Sequence, residues 1–408
     1  MEGTISQTEQ RVEQHVMRRQ NRLWSVIDRN CYLSKNLYNY ANYEIRKRFI
    51  NDREWMHYKE MAHFFKSSEP YKELMSQPSQ QTLKMLDYVW KSFFASMKDW
   101  KRNPSKYLGM PKLPKYLPQN GRYIWSIKNN GCRIRDGKIE FVIKRLSKVS
   151  IPTKARGRLL CVRFVPKGTC YVMEIVTEVE VPDQPNGEPK RIVGIDLGVN
   201  NLVTVANNIG LMPIIVNGRG VKSLNQFYNK QKASIQSELM IRNKERKSNR
   251  LDEMSFKRYC RIKTKFHQMT RLIVEYCIAN KIDMVVCGLN KTWKQRVNIG
   301  KPGNQRFVDI PFDLIVKQLE YKCRDVGIRF ITTEESYTSG TSVLDDELPT
   351  KENYNKSRRK KRGLFYWSGG TVNADVNAVC QIIKKVSPNA FADGVGADDL
   401  QPVILNMR

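Results

Sequence analysis

The absences in this chain narrow its chemistry before any motif is read. Nine cysteines stand at 31, 132, 161, 170, 260, 277, 287, 323 and 380, and no two form a CxxC pair. Most lie singly in apolar stretches, so they read as buried thiols in a reducing compartment rather than a disulfide framework. Only four histidines occur, and His57 and His63, six apart, do not share a helix face well, so neither is expected to ligate a metal. No run of ~18 apolar residues exists, and the N-terminal stretch MEGTISQTEQRVEQ is polar. Neither a membrane span nor a secretory signal is therefore expected, and the expected location is a bacterial cytoplasm, with action at the nucleoid. Acidic residues are scarce: 40 Asp and Glu face 71 Lys and Arg, for a net charge of +31. Such an excess attracts polyanions, and nucleic acid is the partner it best fits.

Among so few acids, two are set in short motifs that suit catalysis. Residues 191–202, RIVGIDLGVNNL, carry Asp196 at the end of an apolar β-type run. Residues 372–379, VNADVNAV, carry Asp375 at the start of an apolar helical pattern. Fixed carboxylates hold divalent metals, and divalent metals assist phosphodiester hydrolysis by activating water and stabilising the departing oxyanion. Magnesium prefers oxygen ligands and keeps much of its water, so three carboxylates suffice without cysteine or histidine. Asp196 also admits a reading as a turn-initiating aspartate, and Asp375 one as a helix N-cap, alone or together with a metal role.

The chain is long enough for two or three domains. Residues up to about 100 read as helical, most clearly 80–100, where Leu83, Leu86, Val89 or Trp90, Phe93, Met97 and Trp100 recur every three to four positions. That periodicity is foremost a core-packing pattern, while Tyr38, Tyr40, Tyr43, Arg46, Lys47, Arg48, Lys91, Lys98, Lys101 and Arg102 are placed to face a duplex on the polar side. From 107 to 181 short alternating runs separated by Asn-Asn-Gly and Asp-Gly predict an exposed, basic antiparallel sheet or small barrel. PDQPNGEP (182–189) is a linker by composition. Beyond it, RIVGIDLGV, NLVTVAN and LMPIIVN predict three successive strands, and 224–239 and 256–280 a helical hairpin. IDMVVCGLN reads as a buried parallel strand, 312–324 as an amphipathic helix and IRFITTEES as a further strand. A final helix starts near Asp375. Between 242 and 265 there are ten basic and three acidic residues, a run suited to phosphate contact.

Four motifs in this order, GIDLGVNNLVTV (194–205), NKTWKQ (290–295), SYTS (336–339) and NADVNA (373–378), resemble the TnpB family of transposon-encoded, RNA-guided nucleases. PSQQTLKMLDYVWKSFF (78–94) adds a fifth match, and the family is related to the compact type V CRISPR effectors. The resemblance implies an α+β multidomain fold: a helical recognition lobe and a β-barrel wedge domain, then an RNase H-like (RuvC) α/β nuclease domain. On that plan 1–20 begins the wedge domain, 21–105 is the recognition domain, 106–181 the β-barrel and 182–189 the linker. Residues 190–335 form the first part of the nuclease domain, 336–371 a target-binding insertion, 372–390 the last nuclease helix and 391–408 a tail. The implied activity is guide-directed cleavage of DNA with two Mg²⁺ ions, Asp196 bridging them and Asp375 completing the cluster. The implied partners are a guide RNA and a target DNA in double- and single-stranded form, with no membrane. Lys291, Trp293, Lys294 and Gln295, and the run Arg358, Arg359, Lys360, Lys361 and Arg362, are the expected nucleic-acid contacts.

Two departures from the family pattern shape the expectation. Relatives end the fourth strand in a glutamate, whereas 285–290 here read VVCGLN. The next strand ends in Thr333-Glu334-Glu335-Ser336, and neighbouring strands lie only ~4.8 Å apart, so Glu334 or Glu335 is expected to supply the missing ligand. Alternation allows only one of them. The sequence does not say which; the metal set is written here as Asp196, Glu335 and Asp375. Relatives also place a CxxC…CxxC zinc ribbon before the last aspartate, yet 336–374 contain neither cysteine nor histidine. No zinc is expected, and Leu364, Phe365, Tyr366 and Trp367 are expected to hold the segment instead, with Gly369-Gly370 lending it mobility. Two other activities stay open: guide-dependent DNA binding without cleavage, as a repressor, and a guide-free, structure-specific nuclease.

Overall fold

A computed structural model describes residues 7–143, 146, 149–185, 187–290, 308–361 and 363–407. The chain divides into two compact units, one spanning Thr8–Glu180 and the other containing Val181–Arg408.

The first unit starts with β1 (Gln7–Met17) and continues through α1 (Trp24–Asp52), α2 (Tyr58–Phe65), α3 (Glu69–Leu74) and α4 (Ser76–Arg102). The periodic stretch expected at 80–100 is α4, which starts four residues earlier because Pro78 fits the first turn, where its missing N–H goes unneeded. Leu83, Leu86 and Trp90 of α4 are fully buried, and the Trp90 indole donates to Asn42 Oδ1 of α1 at 3.1 Å. Of the tyrosines placed on the polar side, Tyr40 and Tyr43 are exposed, but Tyr38 is buried against Tyr123. The rest is sheet: β2 (Trp125–Lys128), β3 (Cys132–Arg135), β4 (Lys138–Phe141), β5 (Ser150–Pro152), β6 (Arg158–Lys167) and β7 (Cys170–Val181). Asp136 and Gly137, joining β3 to β4, both take left-handed φ values (48° and 67°), the geometry an Asp-Gly hairpin turn requires. Among the described residues these strands pair in the open orders β1-β7-β6-β2 and β3-β4-β5, not as a closed barrel.

The second unit is built on a six-stranded sheet in the order β12-β11-β8-β9-β10-β15. Strands β8 (Ile192–Leu197), β9 (Asn201–Asn207) and β10 (Ile214–Asn217) form the expected antiparallel meander. Helices α5 (Arg219–Asn243) and α6 (Asn249–Ala279) follow, then β11 (Met284–Gly288), α7 (Phe312–Asp325) and β12 (Arg329–Thr333). β11 runs parallel to both β8 and β12 and is buried along its whole length, as its unbroken apolar run requires. A hairpin of β13 (Leu364–Trp367) and β14 (Gly370–Asn373) leads into α8 (Ala374–Val386). β15 (Val403–Asn406) then pairs with β10, so the stretch expected as a tail supplies the sixth strand.

Strand alternation sorts the sheet into two faces. Val193, Ile195, Leu197, Val285 and Cys287 pack with α6 and α7 on one side. Ile192, Met284 and Val286 join Val376, Val379 and Ile383 of α8 on the other. Each of those large aliphatic side chains contributes about 1.5–3 kcal/mol by leaving water. Gly194 lies under α8 with its Cα exposed to the helix: a Cβ there would come within 2.7 Å of Val379 and 2.8 Å of Ile383. The glycine of GIDLG therefore brings α8 down onto β8, and with it Asp375.

Candidate active site

Asp196 is two residues beyond Gly194 on the same strand, so alternation turns it to the α8 face. Its backbone pairs with Thr204 of β9, which makes it a strand residue and not the initiator of a turn. Asp375 lies in the first turn of α8. The cap of that helix is Asn373, whose Oδ1 accepts from the N–H groups of Asp375 and Val376 at 3.0 and 3.1 Å. The Asp375 carboxylate is thereby released from capping. It accepts instead from Asn201 Nδ2 at 2.6 Å and from Arg359 Nη2 at 3.1 Å.

The two glutamates after β12 part company. Ile331 of β12 packs on the α8 face, so alternation carries 333 and 335 to that face as well. The Glu335 side chain lies across the end of β11. Its Oε2 accepts from Asn290 Nδ2 at 3.3 Å, its N–H donates to Asn290 Oδ1 at 3.1 Å, and its buried Oε1 has no hydrogen-bond partner. Glu334 is 60 % exposed and is held by Lys385 Nζ at 3.0 Å and by Ser336. The Ser336 hydroxyl lowers the Glu334 carboxyl below its ordinary value, with Lys385 adding to the effect against a small cost of burial.

Of the other acids, Asp196 and Glu335 are raised by burial and by a neighbouring carboxylate. Burial, then the charge of Asp375, pushes Asp196 up to about 6. Burial, then the charges of Asp196 and Glu334, pushes Glu335 up to about 8. Cys287 is raised well above its usual range by burial and by the charges of Glu335 and Asp196, so it stays a neutral thiol. Three carboxylates from β8, the end of β12 and α8 thus share one anionic neighbourhood, partly offset by the Arg359 guanidinium. Oxygen donors alone fit a magnesium ion, and the unpartnered Glu335 Oε1 is the kind of atom such an ion would satisfy. Even so, among the described residues no three such side chains converge closely enough to hold a metal as they stand.

The segment 336–371 packs on α8 without cysteine or histidine. Asn377, Gln381 and Lys384, one helical face of α8, are all buried and all bonded to it. Asn377 accepts from Val343 N–H at 3.1 Å and donates to Thr341 O at 2.8 Å. Gln381 donates to Glu347 O at 3.1 Å, and Lys384 to Asp346 Oδ1 at 2.6 Å. Arg358 makes a two-pronged contact with Glu347 at 2.6 and 2.9 Å, and Ser368 Oγ donates to Asp345 Oδ1 at 2.5 Å. Of the four residues expected to hold this segment, Phe365 is fully buried, Tyr366 and Trp367 are half-buried and Leu364 is exposed. These polar bonds to α8 join an apolar contact in which Val343, Phe365 and Val372 pack with Val376, Val379 and Ile383. Ser368 and Gly369 form the turn of the β13–β14 hairpin, and Gly370 opens β14 opposite Trp367.

Within the basic run, Arg358 is committed to Glu347 and Arg359 to Asp375, while Lys360 and Lys361 are exposed. Lys291, Trp293, Lys294, Gln295 and Arg362 lie outside the described residues. The sequence reading missed Asn201, Asn290, Asn373 and Lys385. Only the asparagine just before the Ala-Asp helix start carried a signal, as a capping residue.

Two family models match the chain. One, described as a probable transposase, covers residues 174–294, and the other, described as a Cas12f1-like TNB domain, covers 312–382. No curated protein matches. Among solved structures, a Cas12f1–sgRNA–target DNA complex is 14% identical and aligns over 88% of this chain and 82% of that one, with a TM-score of 0.53. A CasPhi-2 (Cas12j) structure bound to crRNA and phosphorothioate DNA is 10% identical over 94% and 92%, with a TM-score of 0.41. A CRISPR–Cas12f ternary complex is 11% identical over 88% and 81%, at 0.37. The first of the three shows a shared fold.

Proposed function

We propose, from the premise that this chain belongs to the TnpB and compact type V effector family, that it is an RNA-guided DNA endonuclease. Its cleavage centre is an RNase H-like, RuvC-type site formed by Asp196, Glu335 and Asp375. The observation that carries this reading is the gathering of three carboxylates, from three separate elements, on the α8 face of one sheet. Two of them sit well above the ordinary range of an acid, as expected of groups whose natural counterpart is a cation.

Asp196, Glu335 and Asp375 would hold two Mg²⁺ ions, which supply an activated water and stabilise the departing oxyanion. Asn290 fixes the direction of Glu335 through both its amide groups, so the glutamate is set before any substrate arrives. Asn201 does the same for Asp375. Arg359 neutralises Asp375 and stands ready to meet a phosphate oxygen, a donor geometry that guanidinium suits well. Lys385 holds Glu334 away from the centre, which leaves Glu335 as the third acid.

The net charge of +31 supplies the means to hold a guide RNA and a DNA target. In this reading 21–105 is the recognition lobe, 106–181 the wedge domain, and 336–371 a zinc-free target-binding insertion. Base pairing reads the target strand, and the protein reads a short flanking duplex. Lys360 and Lys361, with Lys291, Trp293, Lys294, Gln295 and Arg362, contribute phosphate and base contacts. No described helix is long and apolar enough to cross a membrane, and the site of action is the cytoplasm.

The test begins with purification of the intact chain and sequencing of any RNA that remains bound. The complex is then given guide-matched duplex DNA with Mg²⁺ or EDTA. Cutting that requires both RNA and magnesium, and disappears in Asp196→Ala, is the expected result. A second reading, guide-dependent binding without cleavage, is favoured by the absence of a closed metal cluster among the described residues. Tight guide-dependent DNA binding with no cut at any magnesium concentration would replace the first reading with the second.

A further inference from the structure

We infer that Gly288 is a positioning residue for the cleavage centre, its missing side chain being the space through which Glu335 reaches Asp196. The inference rests on Glu335 being the third acid. A Cβ built on Gly288 would lie 2.6 Å from Glu335 Oε1, 2.7 Å from Glu335 Cγ and 2.7 Å from Ile382 Cδ1. Real Cβ atoms essentially never approach so closely, so Glu335 and a side chain at 288 exclude each other.

Glycine is not needed here for its backbone. Gly288 has no left-handed φ and closes the regular ladder of β11, pairing with Thr333 of β12. Any residue would satisfy that conformation, and glycine inside a strand normally weakens it. Space is the remaining reason. The face is also the right one, because Met284 and Val286, two and four positions earlier, pack toward α8. A carboxylate coming from β11 itself would have to start at this position. Instead the Glu335 side chain crosses from the neighbouring strand end and fills that volume, closed off behind by the buried Ile382. Two residues further on, Asn290 grips Glu335 by its backbone N–H and its carboxylate. The end of β11 therefore supplies both a gap and a clamp for an acid it does not carry.

Two of the three atoms that a Cβ would meet belong to the Glu335 side chain, which can swing away, and the third is the terminal methyl of the buried Ile382. Gly288→Ala should consequently fold, and should lose the position of Glu335 rather than the stability of the sheet. Gly288→Ala, Glu335→Ala and the double variant are each purified as full chains with their bound RNA. Mn²⁺ affinity is measured by the free-ion electron paramagnetic resonance signal, alongside melting temperature and guide-directed cleavage. Gly288→Ala is expected to weaken Mn²⁺ binding on the order of tenfold, as loss of a supporting group around a metal does. The double variant should bind as Glu335→Ala does, because the methyl group then has nothing to displace. Wild-type Mn²⁺ affinity in Gly288→Ala, or losses that multiply in the double variant, overturns the proposal while leaving Glu335 as a ligand. Wild-type affinity in Glu335→Ala overturns both the proposal and the reading beneath it. Should Gly288→Ala fail to fold, the double variant decides: a folded double supports displacement of Glu335, and an unfolded one assigns the glycine to Ile382 packing alone.

Discussion

On one side of α8, the segment 336–371 meets the helix through Asn377, Gln381 and Lys384, whose polar groups are bonded to its backbone and acids. On the other side, where α8 meets the sheet, Asp196 and Glu335 are crowded together with a buried carboxylate oxygen left unpartnered. The two regions are neighbours on one helix and differ in how far their buried acids are offset by donors and cations. In the first, hydrogen bonds and the Arg358–Glu347 pair leave little for a metal to do. Asp345 illustrates the point: burial pushes it upward, yet hydrogen bonds from Ser368 and Ser342 bring it below its ordinary value. In the second, donors reach Asp375 and one oxygen of Glu335, while burial and neighbouring charge raise Asp196 and Glu335. A network whose acids are offset by donors and cations is a scaffold, even with Gln381 Oε1 and Asp345 Oδ2 left without hydrogen bonds, while an anionic cluster with fewer such offsets stores affinity for a cation. Residues 336–371 offer no cysteine or histidine to a metal, whereas the carboxylates offer oxygen donors alone.

The comparison breaks most visibly at Asp196. Replacing it with alanine should reduce guide-directed cleavage by roughly a hundredfold or more, the scale of removing one group that stabilises developing charge. RNA retention and DNA binding should be unchanged, which a filter-binding assay beside the cleavage gel would check. Cleavage persisting near the wild-type rate would remove the carboxylate centre from the chemistry altogether.

A pH experiment sharpens the contrast in the metal-free protein. An acid whose folded pKa exceeds its unfolded value lends stability only while protonated. For Glu335 that contribution is complete below about 4.5 and is lost as pH rises through about 8. Asp196 behaves likewise from 3.8 through about 6. In EDTA, stability should therefore fall between about pH 5 and pH 9, and Glu335→Gln should recover ~2–4 kcal/mol of it at the alkaline end. Urea titrations at several pH values measure this. A Glu335→Gln curve parallel to wild type would mean that the glutamate is not held in a desolvated place.

The contact between 336–371 and α8 should respond in the opposite sense. Asn377→Ala leaves the Val343 N–H and Thr341 carbonyl without their partner and should cost about 1–3 kcal/mol at every pH. Chelators should leave the melting temperature untouched, since 336–371 offers no cysteine or histidine to hold zinc. A drop in melting temperature after prolonged treatment with a zinc chelator would contradict that picture.

Much of this arrangement was legible in the residues. The strands β8, β9, β11 and β12 announce themselves as apolar runs between turn signals, and α8 as a helical repeat behind Asn373. Asp196 and Asp375 stand out because acids are scarce in so basic a chain. β15 was not legible: VILN follows a proline near the terminus and becomes a strand only because β10 leaves an edge for it. The contact between α8 and 336–371 was missed because Asn377, Gln381 and Lys384 look like the solvated face of an amphipathic helix. Only the packing of 336–371 over that face makes them buried. Gly288 was read as a missing glutamate, whereas its meaning lies in a volume, and volumes do not appear in a one-dimensional pattern.

The smallest predicted effect tests the finest distinction, between Glu334 and its neighbour. Strand alternation and the Gly288 gap send Glu335 inward, while Lys385 and Ser336 hold Glu334 at the surface. An ion pair with a partner 60 % exposed contributes only about 0–1 kcal/mol. Glu334→Gln should therefore shift stability by less than about 1 kcal/mol and leave Mn²⁺ affinity at the wild-type value. Cleavage should fall only slightly, through loosening of the turn that Lys385 ties to α8. Equal losses of metal affinity in Glu334→Gln and Glu335→Gln would show that the strand end can present either acid, and the assignment of Glu335 by strand parity would then fail.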